Sequence, residues 1–179
     1  MKYPLKSLPV LLLMFLIPLI TLAQTQDQKQ IIDDARKGKA AFIEKDPAIS
    51  KLFASAEAYV IFPNVGKGAY VIGGAAGNGV LYENGNLTGM AKLLQINVGL
   101  QVGGQAYRQV IFFKTEEALN HFKAGNFELS ANASAVVLEE GKAASIEFRD
   151  GVAVVTMPKA GAMIEASVGG QKFEYEAFN

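Results

Sequence analysis

The sequence predicts an α+β fold: N-terminal helices packed on a twisted antiparallel β-sheet with enough curvature to form a partial barrel. Three observations carry this. Helical spacing of apolar residues is confined to the first part of the chain, and from Ala58 onward the period changes to two. Between Phe62 and Phe113 lie 11 of the 18 glycines, in a stretch that stays apolar and has no proline after Pro63. Polar linkers and helices do not have that composition, whereas a β-meander uses glycine for turns, bends and close backbone approach. With 179 residues, half of them apolar and a formal net charge of zero, the chain suits one globular domain and argues against a strongly basic nucleic-acid binder.

Residues 1–23 read as a secretory signal peptide. Lys2 and Lys6 form a short basic region, residues 8–22 are nearly all apolar with Pro18 expected to break any helix, and Thr21 and Ala23 place small residues before Gln24. An uncleaved anchor is the alternative, although the apolar run falls short of the roughly 20 residues of a spanning helix. Cleavage would leave residues 24–179 as a single domain with 15 basic and 17 acidic residues, a net charge of −2. The expected location is the periplasm or the exterior, with membrane association a further expectation. The absence of cysteine excludes disulfides, a thiolate metal site and a lipid-modified N-terminal cysteine.

Residues 25–45 predict an amphipathic helix with Ile31, Ala35, Phe42 and Ile43 on one face; Gly38 weakens it by about 1 kcal/mol relative to Ala. Asp46-Pro47 predicts a cap followed by a second short helix through Ser55, burying Ile49, Leu52, Phe53 and Ala56. A strand over 59–62 leads to a glycine-bounded loop over 64–68 that carries Lys67. Residues 69–74 and 80–83 read as hairpin arms around Gly77-Asn78-Gly79, and Asn84-Gly85 as a two-residue hairpin turn. The clearest alternation puts Leu94, Ile96, Val98, Leu100 and Val102 on a dry face, and Gln95, Asn97, Gly99, Gln101 and Gly103 on an amide-lined one.

Residues 110–113 read as a buried strand. Thr115 caps a short helix, with Glu116 and Glu117 in its first turn and Gly125 as its stop. Residues 127–138 are expected to be extended. Strands over 145–148 and 152–157 flank a turn at Asp150-Gly151; a turn over 158–161 then leads to a last strand over 162–175, with a bulge or bend at Gly169-Gly170.

No catalytic constellation is visible. His121 is the only histidine, and a triad or zinc site needs partners that the chain lacks. The adjacent acids Asp33/Asp34, Glu116/Glu117 and Glu139/Glu140 diverge by about 100° on a helix, so they fit solvated faces and helix starts. Residues 73–79 look superficially like a phosphate loop, but a strand-like Val80-Leu81-Tyr82 follows where that fingerprint needs a helix. Gly66-Lys67-Gly68 lacks the spacing of a P-loop. The N-terminal helix region sets Lys29, Arg36, Lys37, Lys39, Lys45 and Lys51 against Asp27, Asp33, Asp34, Glu44 and Asp46. Six bases against five acids is a weak membrane attractor, and a mixed solvent face explains it better.

Several separated motifs resemble the SYLF domain family. They are residues 58–68 (AYVIFPNVGKG), 73–80 (GGAAGNGV), 99–105 (GLQVGGQ) and 165–173 (EASVGGQKF). The resemblance extends over most of residues 30–179, and the last motif is similar to the C-terminal end of secreted bacterial members. It implies a lipid-binding module, also described as actin-binding in fungal endocytic-patch proteins, with no enzymatic activity and no cofactor. By resemblance the N-terminal helix and basic residues would meet anionic phospholipid or a membrane surface.

Lys67, inside the matched FPNVGKG run, is the leading candidate. Arg108 and Lys159 are candidate neighbours, and Arg36, Lys37 and Lys39 are the helix candidates. The expected function is non-enzymatic lipid binding in the bacterial envelope. The alternative is a structural or protein-interaction domain that uses its apolar β-surface. No nucleic acid is expected, and actin is not an expected partner in that compartment.

Overall fold

The computed structural model describes residues 8–66, 74–96, 106–125, 127–129, 135–159 and 170–178. Helix α1 spans Leu8–Lys45. It runs through Pro18, where the sequence predicted a break; a proline locks φ at a helical value and removes one backbone donor, which a long helix can absorb. The face from Ile31 onward packs on the sheet, with Ala35 and Phe42 fully buried. Asp46 then caps a 3₁₀ turn, Pro47–Ile49, by accepting from the Ala48 N–H at 3.0 Å, and α2 (Ser50–Ser55) follows. Ile49 and Phe53 are buried, as the expected stripe requires.

Seven strands follow: β1 (Ala58–Gly66), β2 (Gly74–Glu83), β3 (Asn86–Ile96), β4 (Tyr107–Phe113), β5 (Val136–Val137), β6 (Val152–Pro158) and β7 (Gln171–Ala177). Helix α3 (Glu116–Lys123) lies between β4 and β5, with Thr115 as its N-cap. The spatial order is β5-β6-β4-β1-β2-β3-β7. All pairs are antiparallel except β5 with β6, so the sheet is mixed rather than purely antiparallel. The fold is α+β, as predicted, and the sheet does not close into a barrel.

The sheet is nevertheless strongly curled. Residues 127–129 hydrogen-bond to the outer edge of β7: the Leu129 N–H donates to the Gln171 carbonyl at 3.0 Å and the Phe173 N–H to the Phe127 carbonyl at 3.1 Å. A few residues later the same segment pairs as β5 with β6, at the opposite edge. On a flat sheet these two positions would lie seven strand spacings apart, about 34 Å. The seven residues from 129 to 136 reach at most about 25 Å. The sheet must therefore bend toward this strap.

The strap and α3 cover the inner face, where Phe62, Phe113, Phe122, Phe127 and Phe173 pack ring against ring. Helices α1 and α2 cover the outer face over Tyr59, Ile61, Val80, Val110, Phe112 and Val155.

Several predicted turns are present. Asn84 and Gly85 have φ of 49° and 79°, and Asp150 and Gly151 have 50° and 77°, as two-residue hairpins require. Gly125 ends α3 with φ 78°. Other expectations are corrected. Gly77-Asn78-Gly79 is not a turn but the middle of β2, paired on both sides. A Cβ at Gly79 would lie 2.5 Å from the Phe62 ring and 2.7 Å from the Ile61 carbonyl, so this glycine permits a close approach.

Residues 64–66 continue β1 past a register shift around Phe62 and Pro63 and are not loop. Residues 146–148 are irregular, and only Arg149 bridges to Val152. The last described strand begins at Gln171, after Gly170 at φ 74°. The predicted faces of β3 are inverted: Leu94 is 43 % exposed on the outer side, whereas Gln95 is buried inside. Helix α1 covers β1 and β2 but leaves β3 open, so the outer side of β3 is wet. The rest of that alternation, over 97–103, and the strand expected over 162–169 lie outside the described residues.

Candidate functional site

The basic candidates separate into three groups. Lys67 lies outside the described residues. On α1, each candidate already has a partner. The Arg36 guanidinium donates to Asp33 at 3.0 Å, and Lys37 lies 3.6 Å from Asp34. Lys39 folds down onto the sheet; its ammonium donates to the Tyr59 hydroxyl at 2.7 Å and sits over the Phe53 and Tyr59 rings, 4.8 and 4.7 Å from their centroids. Phe53 meets Tyr59 edge-on and Tyr59 stacks on Tyr82, so Lys39 completes an aromatic cage and ties α1 to β1.

Arg108 and Lys159 form the third group, at one corner of the outer face. Arg108 lies on β4 in register with Met157 of β6, and Lys159 directly follows β6, with its N–H on the Ala106 carbonyl at 3.0 Å. Both side chains are half-buried. The Lys159 ammonium donates to Asn64 Oδ1, which the continuation of β1 brings there. Partial burial holds the Lys159 pKa below the usual lysine range, the positive Arg108 lowers it further, and Asp34 on α1 opposes the fall. Lys37, Arg108 and Lys159 thus carry three positive charges around the single negative charge of Asp34.

A cleft of about 330 Å³ opens beside this corner, between α1 and the uncovered part of β3. Ile31, Pro63 and Leu94 supply its apolar surface, Asp34, Asn64 and Asn78 its polar end, and Lys92 its far rim. Lys92 lies 3.9 Å from Glu174, with both groups exposed. Chemically the arrangement is an apolar slot with a polar end, and the Arg108–Lys159 pair adjoins that end through Asn64. Asp34, Asn64 and Leu94 were not among the sequence candidates. Their assembly depends on α1 crossing β1, which no local pattern reports.

Inside the sheet lies a polar cluster that the sequence reading also missed. Gln171 Nε2 lies 3.1 Å from Gln95 Oε1, 3.2 Å from the Tyr107 hydroxyl and 3.1 Å from Gln109 Oε1, so its two protons are shared among three acceptors. Gln109 Nε2 donates back to Gln171 Oε1 at 2.8 Å, and the Tyr107 hydroxyl donates to Gln95 Oε1 at 3.2 Å. Burial pushes the Tyr107 pKa up to about 12, so its hydroxyl stays protonated and able to donate. His121 is exposed, its ring edge-on to Phe127 at 5.6 Å. Among the described residues no three His, Cys, Asp or Glu side chains gather as a metal site would need.

Residues 94–177 match the family described as "Ysc84: Las17-binding protein actin regulator". Over this segment the chain is similar to the SYLF domain family. The SYLF match takes in the motifs at 99–105 and 165–173, together with Arg108, Lys159 and the whole amide cluster. The motifs at 58–68 and 73–80, with α1 and Lys67, precede it. No curated protein matches the chain.

Proposed function

We propose that the chain is a non-enzymatic lipid-binding module of the bacterial envelope that receives anionic phospholipid headgroups at Arg108 and Lys159. The observation that carries this reading is the half-buried cationic pair beside the apolar cleft. Two like charges held together at a half-buried corner, with one carboxylate opposing them, are relieved by an incoming anion. Phosphate oxygens would meet Arg108 and Lys159, and Ile31, Pro63 and Leu94 would face the apolar part of the lipid or the membrane interface. Lys67 remains part of the proposal from the FPNVGKG motif alone. The family description names Las17 and actin; with residues 1–23 read as a secretory leader, we propose envelope lipid as the partner. An exposed Leu94 on an uncovered strand supports the second reading, a protein-interaction surface.

Co-sedimentation of residues 24–179 with phosphatidylglycerol vesicles and with neutral vesicles tests the proposal. Binding to the anionic vesicles should dominate and weaken as salt rises, because the screening length falls from about 10 Å at 0.1 M to about 3 Å at 1 M. Equal, salt-insensitive binding to both would sink the headgroup reading. A concentration-dependent dimer without vesicle binding would favour the second.

A further inference from the structure

A second cavity is on the inner side, away from the basic corner. It is a groove of about 580 Å³ between α3, the strap and the β6 end of the sheet, within the range of roughly 300–1,000 Å³ typical of small-molecule sites. Phe127, Leu129, Val136, Val152 and Val154 form an apolar floor, and Phe127, Leu129 and Val154 belong to the inner core. Charged groups rim the groove: Glu128, Glu147, Arg149 and Asp150. Glu128 is engaged by Lys172 at 2.8 Å. Among the described residues, Glu147, Arg149 and Asp150 take part in no ion pair. The free rim is therefore one guanidinium and two carboxylates over an apolar floor.

We propose that this groove holds one molecule of a zwitterionic phospholipid of the phosphoethanolamine class: an acyl chain on the floor, the phosphate at Arg149 and the ammonium against Glu147 and Asp150. The floor disfavours a wholly polar ligand. The excess of carboxylate on the rim disfavours a purely anionic headgroup. A guanidinium fork matches phosphate oxygens, and a primary ammonium offers three N–H donors to carboxylates. A quaternary ammonium has no N–H donor and is held by aromatic cages, and among the described residues the rim offers the single ring of His121.

A strand-forming peptide is a poorer fit, because the outer edge of β6 is already used. Arg149 exchanges hydrogen bonds with Val152 at 2.9 Å, and the Leu138 N–H donates to the Thr156 carbonyl at 2.8 Å. The class of ligand rests on the lipid reading above, but the site is separate from the Arg108–Lys159 corner.

The test is an NMR titration of the isotope-labelled full chain with dihexanoyl phosphatidylethanolamine kept below its micelle threshold. Dihexanoyl phosphatidylcholine and phosphatidylglycerol serve as parallel arms. With the ethanolamine lipid, saturable shifts confined to residues 127–129 and 145–154 are expected, and that lipid should occupy the groove about tenfold more tightly than either other lipid. Arg149→Ala should weaken all three. The double variant Glu147→Gln/Asp150→Asn should remove the ethanolamine preference and spare the glycerol lipid.

All these side chains are exposed, so the variants are expected to fold, and unchanged spectra elsewhere will show it. No saturable groove shifts, ethanolamine-lipid shifts centred on Asn64 and Leu94 instead, or equal groove affinities for the three lipids would overturn the proposal. Groove shifts without anionic-vesicle binding would keep this site and sink the outer one. Vesicle binding without groove shifts would do the opposite.

Discussion

The two faces of the sheet use the same strands for opposite electrostatic ends, and β4 shows it within three residues. Tyr107 and Gln109 point inward and are buried, whereas Arg108 points outward and stays half-exposed. The clustered inner polar residues are amides and a phenol, which can satisfy one another at modest desolvation cost; the Thr156 hydroxyl beside Gln109 is buried outside that network. The outer polar residues are full charges, kept at a corner where water still reaches them. The lesson is that strand parity, more than residue type, decides whether a polar side chain here is scaffold or candidate site. Gln95 and Arg108 are both polar strand residues, yet one helps lock the inside and the other offers charge to a ligand.

The contrast predicts that stability depends on the inner face and binding to anionic vesicles on the outer corner. The largest effect is expected from Phe122→Ala. Phe122 is fully buried against Phe113, Phe127 and Phe173, and its loss should cost about 3–5 kcal/mol in urea unfolding. Gln171→Ala comes next. It strips partners from Gln95, Tyr107 and Gln109 together and should cost about 3 kcal/mol, since buried polar groups left unpaired carry their desolvation penalty. A loss below about 1 kcal/mol would mean that the amides are not a cooperative network. Neither change should alter the preference for anionic over neutral vesicles in the protein that remains folded.

Local chemistry explains which parts were legible beforehand. Asn84-Gly85, Asp150-Gly151, the Thr115 cap and the Asp46-Pro47 start are decided within a few residues, and each is found where the sequence placed it. Gly77-Asn78-Gly79 misled because the reason for Gly79 is the Phe62 ring on another strand. The phase of β3 misled because it depends on how far α1 reaches across the sheet. Around the site, the Arg36–Asp33 and Lys37–Asp34 pairings follow from an i,i+3 spacing and were readable in principle. The Lys159–Asn64 contact, between residues 95 apart, was not.

A middle-sized effect tests how the outer helices are joined to the rest. Asp46 is buried beside the 3₁₀ turn at Ala143–Ser145. Its carboxylate accepts from the Ala143 N–H at 2.8 Å and the Ala48 N–H at 3.0 Å. Those bonds, the one from Ala143 foremost, hold its pKa below the ordinary 3.8. A depressed folded-state pKa means that the stabilisation is complete above pH 3.8 and fades as pH falls through the lower folded value. Asp46→Asn should therefore lower the urea midpoint at neutral pH and flatten the acid limb of the stability profile. An unchanged acid limb would show that this cap does not link the two regions.

The smallest effects on stability should come from the basic corner, where binding is the useful readout. Arg108→Ala and Lys159→Ala should each weaken binding to phosphatidylglycerol vesicles about fivefold, from about 1 kcal/mol per basic residue at an anionic surface. Lys67→Ala should weaken it more than Lys142→Ala, and the reverse order would refute the choice of Lys67. Because burial and Arg108 depress the Lys159 pKa below 10.5, its charge is lost earlier than a free lysine's as pH rises. Vesicle binding should decline along that same alkaline limb. A bound anion favours the protonated amine, so lipid should move the decline to higher pH. Lys159→Arg keeps its charge throughout and should abolish the limb while preserving binding at neutral pH. If the arginine variant declines alongside the native protein, the charge that recruits lipid resides elsewhere, and the outer corner is scaffold just as the inner amides are.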